Sequence, residues 1–368
     1  MYDVIIVGGG MAGLVNAILL SRAGLQIALF EKNSYPFHRV CGEYISNEVK
    51  PFLVRNGLYP TDLNPIKISN FKLTSINGNS AQLPLTMGGF GISRYSFDEF
   101  LLRQAESSGA EVFQNHSVSN INFSEDEFEV VANHSKYCSK LVIGAFGKRS
   151  NLDKGRNFMN HKSPYLGVKY HIKTDLLASD EISLHNFQDG YCGVSKVENG
   201  TFNLCYLSHR GNLKKHKSID VMEARVLQEN PFLKSIWTNA QFLFDKPEVI
   251  NEVSFEKKEP VHNHIFMCGD TAGMITPLCG NGMAMAIRSA KFLSDLIIQE
   301  WNKGDFNRGK IEQSYSFLWN KNFSSRLWVG RQVQKLFGSE WSSNLAVRLI
   351  RNRQLGNTIV GFTHGKTF

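Results

Sequence analysis

The first apolar stretch of the chain, residues 5–20, is nearly uncharged and interrupted by glycines at positions 8, 9, 10 and 13. A membrane-spanning helix needs roughly 20 apolar residues. This run is shorter, and neither a basic leader nor a small-residue cleavage site accompanies it. The glycines divide it into a short β-branched run at 4–7, of the kind buried in a parallel sheet, and a segment of helical length at 11–23. Residues 26–30 repeat the buried-strand pattern and end at Glu31.

Beyond this point the period changes several times. Residues 46–56 read as a helix with Ser46 as its cap and Glu48 in its first turn. A second helix is expected from Ser96, with Phe97, Phe100, Leu101 and Ala105 on one face and Gly109 as its stop. Residues 110–113 and the segment around Val118 read as strand and turn, and residues 140–150 as a buried strand running into a second glycine loop. From 165 to about 255 the pattern becomes short alternating segments separated by Asp-Gly and Asn-Gly turns, Asn199-Gly200 being the strongest hairpin signal. A buried strand returns at 265–268, and Gly280-Asn281-Gly282 opens a long helix. The expected class is therefore α/β: a Rossmann-like dinucleotide-binding domain with an inserted antiparallel β-sheet and C-terminal helices. The boundaries are 1–160 and 256–331 for the first domain, with 61–95 a candidate contribution to the substrate region. Residues 161–255 form the β-rich domain, and 332–368 a helical tail.

At 368 residues two structural regions are expected. The 26 phenylalanines suit a large apolar interior or a greasy ligand pocket. The net charge of +8 reads as a solvated basic surface spread along the chain, which gives no nucleic-acid partner. Only residues 347–356 look locally basic and amphipathic, a candidate for contact at a membrane surface. The six cysteines form no CxxC pair, and the histidines of His262-Asn263-His264 imply no third ligand, so no metal site and no disulfide framework is expected. Reduced thiols and a cytoplasmic location follow as the default. The polar stretch 147–164 is the candidate passage between the regions.

The chemistry starts at the first turn. Gly8-x-Gly10-x-x-Gly13 supplies a tight bend, a backbone that a pyrophosphate can approach, and a helix start that packs on its strand and points free N–H groups at phosphate. Glu31, 18 residues beyond Gly13, has the spacing of a carboxylate that accepts both hydroxyls of an adenosine ribose, which favours FAD or NAD over NADP. In "HRVCGE", Arg39 can neutralise a pyrophosphate and Gly42 lets backbone approach a planar ring. Asp270 can bind sugar-like hydroxyls, and the amides after Gly280 form a helix start suited to the anionic edge of a reduced flavin. His171, His185 and Tyr191 on the inserted sheet, with Cys41, are the candidate catalytic side chains.

Taken in order, GxGxxG with Glu31, the Arg94 segment, "GAFGKRS" and "GD…P…GNGM" resemble the FAD-dependent oxidoreductases of the p-hydroxybenzoate hydroxylase and geranylgeranyl reductase superfamily. The resemblance implies an FAD-binding domain of the glutathione-reductase-like type. Gly8, Gly10, Gly13 and Glu31 would hold the AMP half of FAD and Arg94 would lie near its pyrophosphate, with Met11, Ala12, Lys32, Arg39 and Gly42 as further cofactor-binding candidates. Val118 and Gly147 belong to the same cofactor set, Asp270 to the ribitol or pyrophosphate region, and Pro277, Gly280, Asn281, Gly282 and Met283 to the flavin ring. NAD(P)H is the implied electron donor and a hydrophobic or aromatic small molecule the substrate. Phe146 precedes Gly147 where hydroxylases carry Asp, and the sheet reads "YCGVSKV" where reductases carry an aromatic Tyr-x-Trp-x-Phe-Pro-Lys signature. No Trp-x-Trp-x-Ile-Pro segment is present, so halogenation is not expected. A monooxygenase acting on an aromatic, phenolic or polyketide-type compound, lipid-tailed or not, is favoured over reduction of isoprenoid or polyketide double bonds. A non-enzymatic lipid escort is disfavoured, because it has no need of the phosphate cradle.

Overall fold

The computed structural model describes residues 1–160, 164–304, 306–334, 337–363 and 365–368. Two sheets organise them. In the first, Tyr2–Val7 lies between Ile27–Phe30 and Ser135–Gly144, parallel to both, with Val4 opposite Ile27 on one side and Leu141 on the other. Glu111–Phe113 extends one edge and Ile265–Met267 the other, again in parallel. Parallel strands are covered on both faces, which is why the uniformly apolar runs at 4–7 and 27–30 are wholly buried. The pairing of Phe266 with Ile143 brings the late part of the chain beside its beginning.

The second sheet has nine strands, and its continuous path runs Gln241–Phe242, Tyr165–Lys173, Phe202–His209, Gly190–Lys196, Glu181–Phe187, Ile66–Thr74, Ser80–Gly91, Tyr44–Ser46. Three of these strands precede residue 95, so the sheet is assembled from two separate stretches of the chain. At its strongest hairpin signal, Asn199 (φ 57°) and Gly200 (φ 70°) are both left-handed, the conformation a two-residue type I′ turn requires. Strand alternation then gives the sheet two unlike faces. Leu166, Val168, Tyr170 and Ile172 face outward onto Met222, Leu227, Leu233 and Ile236. Their alternates face the first domain: the place of a Cβ on Gly167 is 3.1 Å from Val40, and Lys169 and His171 reach Glu43.

Several local expectations are corrected. Residues 210–239 contain three short helices, Arg210–His216, Ile219–Arg225 and Pro231–Asn239, where only strands and turns were expected. Ser218 and Asn230 cap the last two through their side chains. The helix expected from Ser96 starts at Arg94, because the hydroxyl of Ser93 accepts from Ser96 N and makes Ser93 the cap. The helix expected at 46–56 is divided into the strand Tyr44–Ser46, a single 3₁₀ turn and Lys50–Arg55; Ser46 still caps, accepting from Glu48 N. The polar stretch 147–164 is packed rather than a free linker over its described part, since Asp153 and Arg156 are buried as an ion pair at 2.8 Å.

The tail and the charge differ most from the patterning. Residues 306–368 hold ten of the 41 Lys+Arg and two of the 33 Asp+Glu, which leaves 31 of each in the remainder. The whole net charge therefore lies in this last part and is not spread along the chain. It forms Arg308–Gln334, Glu340–Arg351 and Arg353–Thr363, so the stretch 347–356 spans the ends of two helices. Ala346, Val347 and Ile350 pack on Leu73, Leu83, Leu184, Tyr191 and Met274, so the tail helps to close the inner face of the second sheet.

Candidate functional site

The site begins where Tyr2–Val7 ends. Gly8 has φ 106°, and a Cβ there would lie 2.4 Å from Ala145 O; a Cβ on Gly13 would lie 2.0 Å from Gly8 O. These glycines are therefore fixed by backbone packed on backbone. Gly10 precedes the helix Met11–Arg22, and the nearest atom to its Cβ position is Arg94 Nη2 at 3.7 Å. Met11 and Ala12 are buried beneath the turn. Glu31 is buried and its Oε2 accepts from Gly9 N at 2.9 Å, so strand end and glycine turn are one unit. Lys32 points to solvent.

Two arginines converge above this turn. Arg94 grips Asp98 through Nε and Nη2, both at 2.7 Å, and Arg39 donates to Asp98 at 3.0 Å and to Glu31 at 3.1 Å. Arg39 is thus committed to two carboxylates rather than standing as a free counter-ion. Asp98, which the patterning placed only in a helix, is the buried anion that holds both guanidinium groups in place. Tyr35 closes the same turn, its hydroxyl donating to Gly9 O.

The loop 38–43 runs from here across the inner face of the second sheet. Cys41 is half-buried; its carbonyl accepts from Asn203 Nδ2 at 3.1 Å and its thiol interacts with Arg94. Gly42 O accepts from Ser195 Oγ at 3.1 Å. Glu43, left-handed at φ 53° and fully buried, accepts from Lys169 Nζ at 2.5 Å, His171 Nε2 at 2.7 Å and Arg94 N at 2.7 Å. Burial pushes the Glu43 carboxyl up, but Lys169 and His171 outweigh it and hold the group down at about 2. This triad joins the domains, and no sequence signal marked Glu43 or Lys169. His38 packs on His171, and burial together with Lys169 and His171 lowers it to about 4.

The far half of the site comes from the returning chain. Gly269 (φ 64°) leaves Ile265–Met267 so closely against the first helix that its Cβ would lie 3.0 Å from Ala12 Cβ. Thr271 Oγ1 accepts from Gly147 N at 2.8 Å, which clips the middle glycine loop to the Gly269-Asp270 turn. Lys258 is buried between them, donating to Lys148 O at 2.7 Å and Asp270 O at 3.0 Å. Burial pulls its pKa down to about 8 against the opposing pull of Asp153 and Asp270. Lys148 Nζ reaches Val40 O at 3.1 Å and so closes a ring of segments 8–13, 38–43, 94–98, 147–148 and 269–271. Asp270 itself is half-buried. Pro277 opens a single 3₁₀ turn, Gly280 (φ 62°) has Tyr44 at 3.1 Å from its Cβ position, Asn281 is buried near Glu48, and Gly282 begins the helix Gly282–Trp301 with Met283 buried in its first turn.

Not every candidate joins this ring. His185 lies on the outer face of the sheet, stacked on Phe232, with Nδ1 at 3.0 Å from Thr74 Oγ1; burial lowers it to about 3, so it stays neutral there. Tyr191 lies on the inner face but under the tail, against Phe337 and the apolar cluster of Leu184, Leu207 and Met274. Val118 opens the hairpin strand Val118–Ser124 and packs in the cluster of Phe30 and Phe128, beside the glycine turn. Among the described residues no group of three metal-ligating side chains is present, and no helix is long and apolar enough to cross a membrane.

A family profile described as an NAD(P)-binding Rossmann-like domain matches residues 6–56. A geranylgeranyl bacteriochlorophyll reductase-like protein from Thermoplasma acidophilum superposes with a TM-score of 0.80 at 19% identity, covering 100% of this chain and 96% of that one. The myxobacterial chondrochloren halogenase, an FAD-dependent enzyme, superposes with a TM-score of 0.78 at 17% identity over 99% and 90% of the two chains. In sequence, conditioned medium factor receptor 1 of Dictyostelium discoideum is 22% identical over 386 aligned positions, 96% of this chain and 71% of its own. The solved structures share with this chain a Rossmann-like domain, a large second sheet and C-terminal helices.

Proposed function

We infer that this chain, whose fold is that of the reductase-like and halogenase flavoproteins, is an FAD-dependent oxidoreductase acting on an apolar or aromatic small molecule. One observation carries the reading. Around the ring of segments, Gly42 and Gly147 have nothing within 4 Å of their Cβ positions, whereas Gly8 and Gly13 are crowded by backbone. The crowded pair builds the turn, and the open pair leaves backbone uncovered at two of the segments of the ring. An extended dinucleotide fits such a channel, with the N–H groups after Gly10 and the guanidinium of Arg94 on its phosphates, and Glu31 and Asp270 on its hydroxyls. Gly280, Asn281, Gly282 and Met283, at the start of the helix Gly282–Trp301, would face the ring system.

FAD, when bound, supplies the redox chemistry. The chain positions it and keeps water out. The triad Lys169–Glu43–His171 anchors the loop 38–43 to the second sheet, fixing how far apart the cofactor and substrate walls stand. On the same inner face, Leu184, Leu207, Met274, Val347 and Ile350 make an apolar wall beside Leu278, suited to a hydrophobic substrate. Tyr191 is buried in that cluster and brings a side-chain hydroxyl to it. Such an apolar wall suits hydroxylation with NAD(P)H and O₂, which needs a dry pocket more than proton transfer. Double-bond reduction is the second reading, favoured by the full-length likeness to a reductase-like protein and by Tyr191 as a proton donor.

The test is to purify the protein, record its absorbance spectrum, and follow NADH and NADPH oxidation with and without oxygen over phenolic and polyprenyl compounds. Oxygen-consuming turnover stimulated by a phenol establishes hydroxylation. Turnover that persists anaerobically with a polyprenyl compound establishes reduction, and a colourless protein that takes up no FAD overturns both.

A further inference from the structure

The last three helices hold eight Lys+Arg and two Asp+Glu, so they carry +6 of the chain's net charge of +8. Along Arg308–Gln334 the inward stripe is Ile311, Tyr315, Trp319, Phe323, Arg326 and Gly330, all buried. A second stripe faces away from it. Phe317 and Trp328, about three turns apart on one helix face, are 63% and 58% exposed. Lys321 lies between them with its ammonium 5.6 Å from the Phe317 ring centroid, and Arg331 follows one turn after Trp328. On Glu340–Arg351 the same pairing recurs: Trp341 is 74% exposed, with Arg348 about two turns further along its face. Of the five tryptophans, the two that are exposed are both here.

These aromatic rings serve no interior. The fold buries the opposite stripe, and a large aromatic left in water costs the hydrophobic stabilisation that burial would provide. Most of the cations have no opposite charge beside them. Among the described residues Arg326 pairs with Glu48 and Arg308 with Asp126, but Lys321, Arg331, Arg348, Arg351 and Arg353 have no carboxylate partner. The two acids of the segment already have partners: Glu312 bonds His264 and Glu340 bonds Asn77. What remains is a helical surface of tryptophan, phenylalanine, lysine and arginine.

We propose that this C-terminal surface docks on an anionic phospholipid membrane. Lysine and arginine are drawn to the negative headgroups, and tryptophan settles at the headgroup level, where its ring is in apolar surroundings and its N–H in polar ones. A duplex nucleic acid would account for the cations but not for a helix face that interleaves them with Phe317 and Trp328, because its bases are already stacked on one another. The opposite face of Glu340–Arg351 carries Ala346, Val347 and Ile350 of the apolar wall, so the docked helix lies between the bilayer and that wall. This last link rests on the proposed substrate class; the docking itself does not.

The experiment is co-sedimentation of the full chain with vesicles of phosphatidylcholine alone and of phosphatidylcholine with phosphatidylserine, with tryptophan emission recorded in parallel. Binding is expected only with phosphatidylserine, accompanied by a blue shift and reversed by salt. Lys321→Glu with Arg348→Glu, and separately Trp328→Ala with Trp341→Ala, are each expected to weaken binding by roughly tenfold or more. All four side chains are exposed, and an unchanged thermal midpoint checks each variant's fold. FAD content is measured on the same samples, so failure to dock is distinguishable from failure of the flavoenzyme reading. The proposal is overturned by equal binding to both compositions, by no binding to either, or by preferential binding of duplex DNA that survives the tryptophan substitutions.

Discussion

Replacing Glu43 by Gln removes one charge and no volume at the junction of the two domains. The carboxylate is fully buried and answers three donors at 2.5–2.7 Å: Lys169 Nζ, His171 Nε2 and Arg94 N. Its folded-state pKa, about 2 against an ordinary 4.5, corresponds to ~3 kcal/mol of stabilisation. Because the folded value is depressed, that contribution is complete above the unfolded pKa and is lost as pH falls from 4.5 through 2. In Glu43→Gln the Lys169 ammonium, buried with no exposed side-chain surface, is left without its counter-charge. Removing one partner of a buried pair costs ~3–5 kcal/mol. Urea denaturation at neutral pH reads the loss directly, and repeating it between pH 5 and pH 2.5 shows a flatter acid limb in the variant. Adding Lys169→Met removes the stranded charge and is expected to recover a large part of the stability. A loss below ~1 kcal/mol, or a double variant no better than Glu43→Gln, would refute the assignment of this triad as the charged tie between the domains.

Other perturbations separate the roles of neighbouring groups. Gly13→Val drives side-chain atoms toward Gly8 O, only 2.0 Å from the Cβ position, and is expected to abolish FAD retention, read as the flavin-to-protein absorbance ratio. Gly42→Ala meets no atom within 4 Å and is expected to leave the thermal midpoint of the flavin-free protein unchanged while weakening FAD binding by titration; unchanged affinity would remove Gly42 from the channel. Arg94→Met is expected to raise the FAD Kd by roughly 10- to 100-fold, the worth of a charge-assisted hydrogen bond, measured by fluorescence quenching. Lys258 has a folded pKa of about 8 against an ordinary 10.5, so between these values the unfolded chain holds the extra proton and stability rises with pH by ~3 kcal/mol. Lys258→Met is expected to remove that slope from denaturation curves taken between pH 7.5 and 10.5.

By itself the sequence determined what local sterics and periodicity control. A glycine that must take φ 106° at position 8, a strand whose residues are apolar on both faces, and an Asn-Gly pair with two left-handed residues are constraints on a few adjacent dihedrals, and they are legible from a few adjacent letters. The same holds for Ser46, whose side chain caps although the helix after it starts late. It does not hold for the choice between Ser93 and Ser96 as a cap, since both hydroxyls stand at a helix start and backbone geometry selects one.

Tertiary structure decided which side chains meet. His171 and His185 are both histidines in alternating strands, yet one reaches Glu43 across the domain boundary and the other stacks on an outer helix. Face parity in a strand is set by register with neighbours far away in sequence, and a shift of one residue would exchange them. Glu43 and Lys169 lie 126 positions apart, and neither residue type is ordinarily buried; only their pairing makes burial tolerable, and no local pattern encodes a pairing. That Arg39 pairs with Glu31 and Asp98 could not be read from its sequence neighbours, because Asp98 lies 59 positions away on another element. The tail is the same case at larger scale. Its charge could be counted from the letters, but whether Trp328 or Trp319 faced solvent was fixed by the surface against which the helix packed.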